Sequence, residues 1–240
     1  YKNGTIEQKL SDFYRLALDV DSRNREGIAP VKPVLDEIEG ARTVAALRQL
    51  QLKYADQGYG VQFGSYFSAD DKNVSMNIFS VSQGGMTLSQ KDYYINNDSA
   101  TVAIRQAYRK HIARMFGLYG FSQADAERKA DAVFRQETLI ALISKSATEL
   151  RDPQANYNKM TLAEFETAYP DIPLAQLAQA EGIKRAYIDT LIVGQPSFMA
   201  GLDKLMTLQT ADELQALMEW DVIQSSTGYL TDAIREANFD

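Results

Sequence analysis

Through most of this chain, apolar residues recur at intervals of three and four, the spacing that gathers them on one face of a helix. Thr5-Ile-Glu-Gln8 reads as a capping box opening a helix that carries Ile6, Leu10, Phe13, Tyr14 and Ala17 and ends near Asp21. Pro30 and Pro33 introduce a short helix with Val34, Leu35 and Ile38; Thr43 caps another with Val44, Leu47, Leu50 and Tyr54, stopping at Gly58. From Gly60 the period changes. Val61 and Phe63 with Tyr66 or Phe67 form one run and Val74, Met76, Ile78 and Phe79 another, so two short strands joined as a hairpin are predicted. Gly84 and Gly85 allow positive φ and close backbone approach, which makes the following Met86 to Tyr94 stretch a fixed loop.

A strong helix is predicted over Asp98 to Tyr119, with Ile104, Tyr108, His111, Ile112, Met115, Phe116 and Tyr119 on one face and Gly120 at its end. Ser122 caps the longest helix, expected to run to about Leu150 with Ala126, Ala130, Val133, Phe134, Glu137, Ala141 and Ser144 in register. Pro153 lacks an N–H and restricts Asp152, so this helix is expected to stop near Arg151. Asn156, Tyr157 and Asn158 then suit a loop fixed by side-chain to backbone hydrogen bonds, before Thr161 and Glu164 cap a helix to about Ala168. Further helices are read over Leu174 to Ala180, from Pro196 with Phe198, Leu202 and Leu205, and from Thr210-Ala-Asp-Glu213 with Leu214, Leu217, Met218, Trp220 and Ile223. The last is expected to continue through Tyr229 to Ala233 with a bend at Gly228. One short strand fits Ala186 to Val193. The expected fold is mainly α: a multi-helix lobe with one small β-hairpin and one further short strand, residues 1–240 forming a single domain.

Charge changes the picture by exclusion. With 25 Lys plus Arg against 32 Asp plus Glu the net charge is −7, and a field of that sign repels phosphate backbones and anionic lipid. Nucleic-acid binding is not expected. The 240 residues can build a large core without metal or disulfide. There is no cysteine, hence no disulfide framework, thiolate metal site or cysteine nucleophile, and the compartment stays open between cytosol and cell envelope. No run of about 18 apolar residues occurs, so membrane insertion is not expected. Tyr1 to Thr5 resembles neither a translation start nor a signal peptide; the expectation is an excised piece of a longer polypeptide.

Single residues suggest little chemistry. His111 is the sole histidine, which rules out an H-E-x-x-H zinc motif within the chain; on an apolar helix face it reads as a packed, neutral, hydrogen-bonded residue. Glu137 shares the register of Ala130, Phe134 and Ala141, so its carboxylate needs an Arg, Lys or Tyr partner, and a structural role is expected. Gly84-Gly85 lacks the spacing of a phosphate loop. Asp70, Asp71 and Asn73 match part of a calcium loop without its Gly and terminal Glu, so a solvated turn is expected. Tyr93, Tyr94 and Tyr157 read as loop anchors. No G-x-S-x-G elbow is present, and no residue is assigned a catalytic, cofactor-binding or metal-binding role.

Three segments carry a family likeness: Gln83-Gly-Gly-Met-Thr-Leu-Ser-Gln-Lys-Asp-Tyr-Tyr94, Arg151-Asp-Pro-Gln-Ala-Asn-Tyr-Asn-Lys-Met-Thr161, and Leu214 to Trp220. Together, in order and separation, they resemble the N-terminal, non-catalytic lobe of the neprilysin and endothelin-converting-enzyme family of zinc metallopeptidases, including its bacterial oligopeptidase members. The first is similar to the family's Gln-x-Gly-Leu-x-Leu-Pro-x-Arg-x-Tyr-Tyr pattern and the second to its Arg-x-Asp-Pro turn followed by Tyr-Asn and a Met-Thr helix start. Thr87, Ser89 and Lys91 depart from the common pattern, which touches loop details.

The resemblance implies two mainly helical lobes enclosing a chamber, with this one as its cover. It implies a parent metalloendopeptidase that cuts oligopeptides with a zinc-activated water and excludes folded proteins by size. The zinc ligands of that family lie in the C-terminal catalytic lobe, so no zinc, no catalytic residue and no substrate residue carries over onto this chain. The partner implied is that catalytic lobe of the same polypeptide, and the setting implied is bacterial and extracytoplasmic, periplasmic or secreted. The competing expectation is a free-standing helical scaffold that binds peptides or proteins without enzymatic activity.

Overall fold

The computed structural model describes residues 1–239, and helices dominate among them. Thr5 accepts the Gln8 amide to open α1 (Ile6–Leu18). The other half of the expected box is displaced by one residue: Gly4 N–H donates to the Gln8 side chain at 2.6 Å, because Thr5 N–H already donates to Lys2 O. Asp19 ends α1 and caps α2 (Val20–Glu26) through Ser22 N–H, so the expected single helix to Asp21 breaks early. Then come α3 (Lys32–Gly40) and α4 (Val44–Lys53), the latter capped by Thr43 as expected. Strands β1 (Phe63–Asp70) and β2 (Asn73–Gln83) form the predicted hairpin.

A single turn, α5 (Asp92–Ile95), interrupts the loop after the hairpin. The two long helices follow, α6 (Ser99–Leu118) capped by Asp98 and α7 (Gln123–Ile143) capped by Ser122. β3 (Asn158–Thr161) leads into α8 (Leu162–Ala168) through the predicted Thr161–Glu164 capping box, then α9 (Leu174–Ala180), β4 (Thr190–Val193) and α10 (Pro196–Leu208). A second capping box, Thr210 with Glu213, opens α11 (Ala211–Ser226). A 3-10 turn at Thr227–Tyr229 separates it from α12 (Asp232–Phe239), in place of the expected bent continuation.

Two cores result. In the first, α3, α4, α6, α7 and α11 converge on Ile38, Leu47, Ile112, Met115, Phe116, Val133 and Met218. The second lies beneath the sheet, where Phe79, Val81, Leu191 and Val193 meet Phe165 of α8 and Phe198 and Leu202 of α10. α7 belongs to both, since Ile140 faces the second. Each fully buried Phe contributes about 2–3 kcal/mol by area. Gly201 of α10 permits the close approach to α7: a Cβ there would stand 2.8 Å from Ile143 Cγ2.

The sheet has the order β1-β2-β4-β3, with β1 and β2 antiparallel, β2 and β4 parallel, and β4 and β3 antiparallel. Two expectations fail here. The loop expected between Arg151 and Thr161 ends in a strand, because Asn158–Thr161 pairs with Thr190–Val193; four residues are too few to show a period. And α7 ends at Ile143, well before Pro153 can act. The Lys91 ammonium donates to Ser144 O at 2.6 Å, satisfying an orphan carbonyl at the negative end of the helix dipole. Gln83 then holds the next peptide from both sides, accepting Lys145 N–H at 2.9 Å and donating to Lys145 O at 3.1 Å. Tertiary partners end this helix, not proline.

Candidate functional site

The loop that follows the hairpin is seated by its glycines. Gly85 has φ +80 and its hypothetical Cβ would lie 2.9 Å from Gln62 Cα, while a Cβ on Gly84 would come within 3.0–3.2 Å of Phe63 and Gly64 backbone. Those close approaches bring Thr87 over Glu137 of α7. Glu137 is 3% exposed and accepts from the Thr87 hydroxyl at 2.6 Å, the Tyr94 phenol at 2.9 Å and the Tyr108 phenol at 2.8 Å. Trp220 Nε1 donates to the Thr87 hydroxyl at 3.4 Å. The expected Tyr partnership is thus met twice, and Tyr94 is the loop anchor it was read to be, since it also accepts Leu88 N–H. Burial raises the Glu137 carboxyl, with the Thr87 and tyrosine hydrogen bonds pulling the other way. Burial, and then the Glu137 charge, raises both phenols. Through these bonds the cluster fixes the loop against α7.

A second set of polar groups joins the remaining segments. Gln195 accepts Gln83 N–H at 2.8 Å and donates to Asn156 at 3.0 Å. Asn156 donates to Leu150 O and Asp152 O, and Asn158 to Ala155 O and Val193 O, as the polar loop suggested. The hairpin turn corrects the reading: Asp70 is 2% exposed, not solvated. Lys159 at 2.8 Å, Lys72 N–H and the Tyr157 phenol hold its carboxyl down at about 2. Tyr157 and Lys159 lie 87 and 89 residues away, which no local pattern reveals. Asp71 and Asn73 are exposed as expected.

Three buried ionisable groups escaped the sequence. Lys129 and Glu219, 4% and 0% exposed, form an ion pair between α7 and α11; burial pushes the Glu219 carboxyl up to about 7 against the pull of Lys129, and Glu219 Oε1 has no hydrogen-bond partner. Lys129 falls three after Ala126 and four before Val133, a register signal that marks it as inward. Asp221 is part-exposed by area yet crowded by protein atoms, and this burial pushes it up to about 7. It accepts Gly60 N–H at 2.7 Å, while Gln51 donates to Gly60 O at 2.7 Å. Relative to about 3.9 in the unfolded chain, Asp221 binds its proton more tightly when folded. Its contribution is therefore fully present below pH ~4 and is lost as pH rises through ~7. Asp221→Asn, which keeps the acceptor for Gly60, is expected to flatten the decline in stability between pH 4.5 and 7.5 by about 3 kcal/mol, measured by urea unfolding at both values.

Metal donors are scattered. Among the described residues no group of three or more His, Asp and Glu is placed to hold a metal ion. His111 is half-buried, edge-on to Trp220 at 6.0 Å, less enclosed than expected. Burial, with the nearby Arg114 charge, lowers its pKa and favours the neutral ring. These residues do not fit a zinc ion.

What the chain does present is apolar surface. None of the residues of α1 is buried; Ile6, Leu10, Phe13, Tyr14, Leu16 and Leu18 are each 61–73% exposed. The apolar stripe read from the sequence is present and is left uncovered among the described residues. The predicted face of α6 is buried except at Ile104, which is exposed, and His111, which is half-buried. Among the described residues no helix is long and apolar enough to cross a membrane.

A family model described as Peptidase family M13 matches residues 1–240. Among curated relatives, endothelin-converting enzyme-like 1 of Mus musculus is 27% identical over 252 residues, covering 98% of this chain and 32% of that protein. Neprilysin-3 of Drosophila melanogaster is 24% identical over 253 residues, covering 96% and 32%. Among solved structures, the Mycobacterium tuberculosis zinc metalloprotease Zmp1 with inhibitor superposes with a TM-score of 0.90 at 27% identity, over 100% of this chain and 36% of that one. The chain spans about a third of the length of the relatives it matches.

Proposed function

The chain belongs to peptidase family M13, and from that membership we propose that it is the non-catalytic lobe of a neprilysin-like zinc metalloendopeptidase. In this reading residues 1–240 form one domain that covers a chamber, admits oligopeptides and excludes folded proteins. The remaining two-thirds of the polypeptide carries the zinc and cuts the peptide bond. The zinc would supply an activated water there; this chain supplies walls. A bacterial, extracytoplasmic setting rests on the family resemblance alone.

The single observation that carries the partner assignment is α1. A 13-residue amphipathic helix is marginal alone in water, and six large apolar side chains on it are left uncovered, more than a complete monomer tolerates on one element. The catalytic lobe is the proposed cover. Leu10→Glu combined with Phe13→Glu is therefore expected to leave the unfolding free energy of residues 1–240 within about 0.5 kcal/mol. In the intact polypeptide the same pair is expected to lower peptidase activity about tenfold or more, because two carboxylates are then forced against an apolar face. Equal destabilisation of the isolated lobe, or an unaffected intact enzyme, would refute the docking role of α1.

A further inference from the structure

The hairpin carries a second uncovered surface of a different kind. In the order β1-β2-β4-β3, β1 is an edge strand, paired on one side only. β2 pairs with β4 only over Phe79–Val81, so the outer part of the hairpin projects beyond the sheet as a two-stranded arm. Edge strands are ordinarily protected by a charge, a proline, a bulge or a cover. From Phe63 to Ala69 this one reads Phe-Gly-Ser-Tyr-Phe-Ser-Ala, with neither charge nor proline, and its one register shift lies at the tip, between Ala69 and Asp70. The arm also exposes Tyr66, Phe67, Val74 and Met76, from 46% to 79%. A groove of about 390 Å³ lies over the face of the sheet, between Tyr66 and Ser68 of β1, Ser80 and Ser82 of β2, and Asn156 and Tyr157.

We propose that an extended segment of the same polypeptide, from beyond residue 240, adds as a strand to the outer edge of β1 and lies against this arm, so that the sheet continues from one lobe into the other. It rests on the reading that the polypeptide continues into a catalytic lobe. A strand is the complement because an edge offers main-chain N–H and C=O groups at strand spacing. A permanent occupant fits better than a transient peptide: a two-stranded arm is marginal in water, and an uncharged edge with four exposed apolar side chains invites aggregation whenever it is bare. The length of family members outside this chain, about two-thirds of the relatives' own, supplies the occupant.

The test uses the intact polypeptide without substrate. A photo-crosslinking benzoyl-phenylalanine is placed in turn at Tyr66 and at Val74, both exposed, and amide hydrogen exchange is followed over residues 63–70. The expected result is an intramolecular crosslink to a segment beyond residue 240, with the amides of β1 that point away from β2, and not only those bonded to it, exchanging about tenfold or more slowly than those of the exposed hairpin turn. A crosslink between two copies, protection that arises only on adding an oligopeptide, or a free edge with no crosslink would each overturn the proposal. Peptidase activity of the same sample is read in parallel: a crosslinked but inactive protein keeps the strand addition and removes the enzymatic reading, while an active protein with a bare edge does the reverse.

Discussion

Replacing Glu137 with Ala is expected to destabilise this lobe by about 3–5 kcal/mol, measured by urea unfolding at pH 7. The carboxylate is the shared acceptor for Thr87, Tyr94 and Tyr108, so its removal orphans two buried phenols, releases the exposed Thr87 hydroxyl and leaves a cavity among α5, α6 and α7. Glu137→Gln keeps the shape and one acceptor, and is expected to cost about 1–2 kcal/mol. The Ala variant should also free the loop from Gly85 to Ile95, seen as faster amide exchange there. A Glu137→Ala protein as stable as the parent would mean that the loop is held by its glycines and Trp220 alone.

Lys129→Ala is the second large effect, about 3–5 kcal/mol at pH 8. It strands Glu219 in the core, where one carboxylate oxygen already lacks a partner. Because burial raises Glu219 to about 7 with Lys129 present, losing the cation raises it further, and the variant's deficit should shrink as pH falls and the carboxyl takes up a proton. Replacing both partners with apolar residues, Lys129→Met with Glu219→Leu, is expected to return stability to within about 1 kcal/mol of the parent. If the double replacement is as damaging as the single one, the pair contributes more than mutual neutralisation. Gln215, which sits 3.4 Å from Lys129 and donates to Ile38 O, Glu39 O and Ala41 O, would then be part of the same network.

The sequence was most legible where structure is local. α6 shows in its caps and its 3.6-residue period, and the Thr161–Glu164 and Thr210–Glu213 boxes fix two helix starts to the residue. Glu137 could be read as buried because its neighbours in register are apolar. Legibility failed where a distant partner decides. Gln83 and Lys91 set the end of α7 from more than 50 residues away, and β3 exists only because β4 lies beside it. Asp70 looked solvated since Tyr157 and Lys159 are far along the chain. Of function, local residues said almost nothing; three segments did, and all three belong to the scaffold just described. Gln83 clasps Lys145, Thr87 and Tyr94 sit on Glu137, Asn156 and Asn158 tie the sheet, and Trp220 backs Thr87. The family pattern in this chain marks the positions that hold the lobe's shape.

The proposed function is a division of labour, in which this lobe gives form and the rest of the polypeptide would hold the metal that cuts. Zinc content and peptidase activity should be measured side by side on purified residues 1–240 and on the intact polypeptide, with a short unstructured peptide as substrate. The account predicts less than about 0.1 zinc per chain and no cleavage for the lobe, against about one zinc and chelator-sensitive cleavage for the whole. Stoichiometric zinc with chelator-sensitive cleavage by residues 1–240 alone would contradict it.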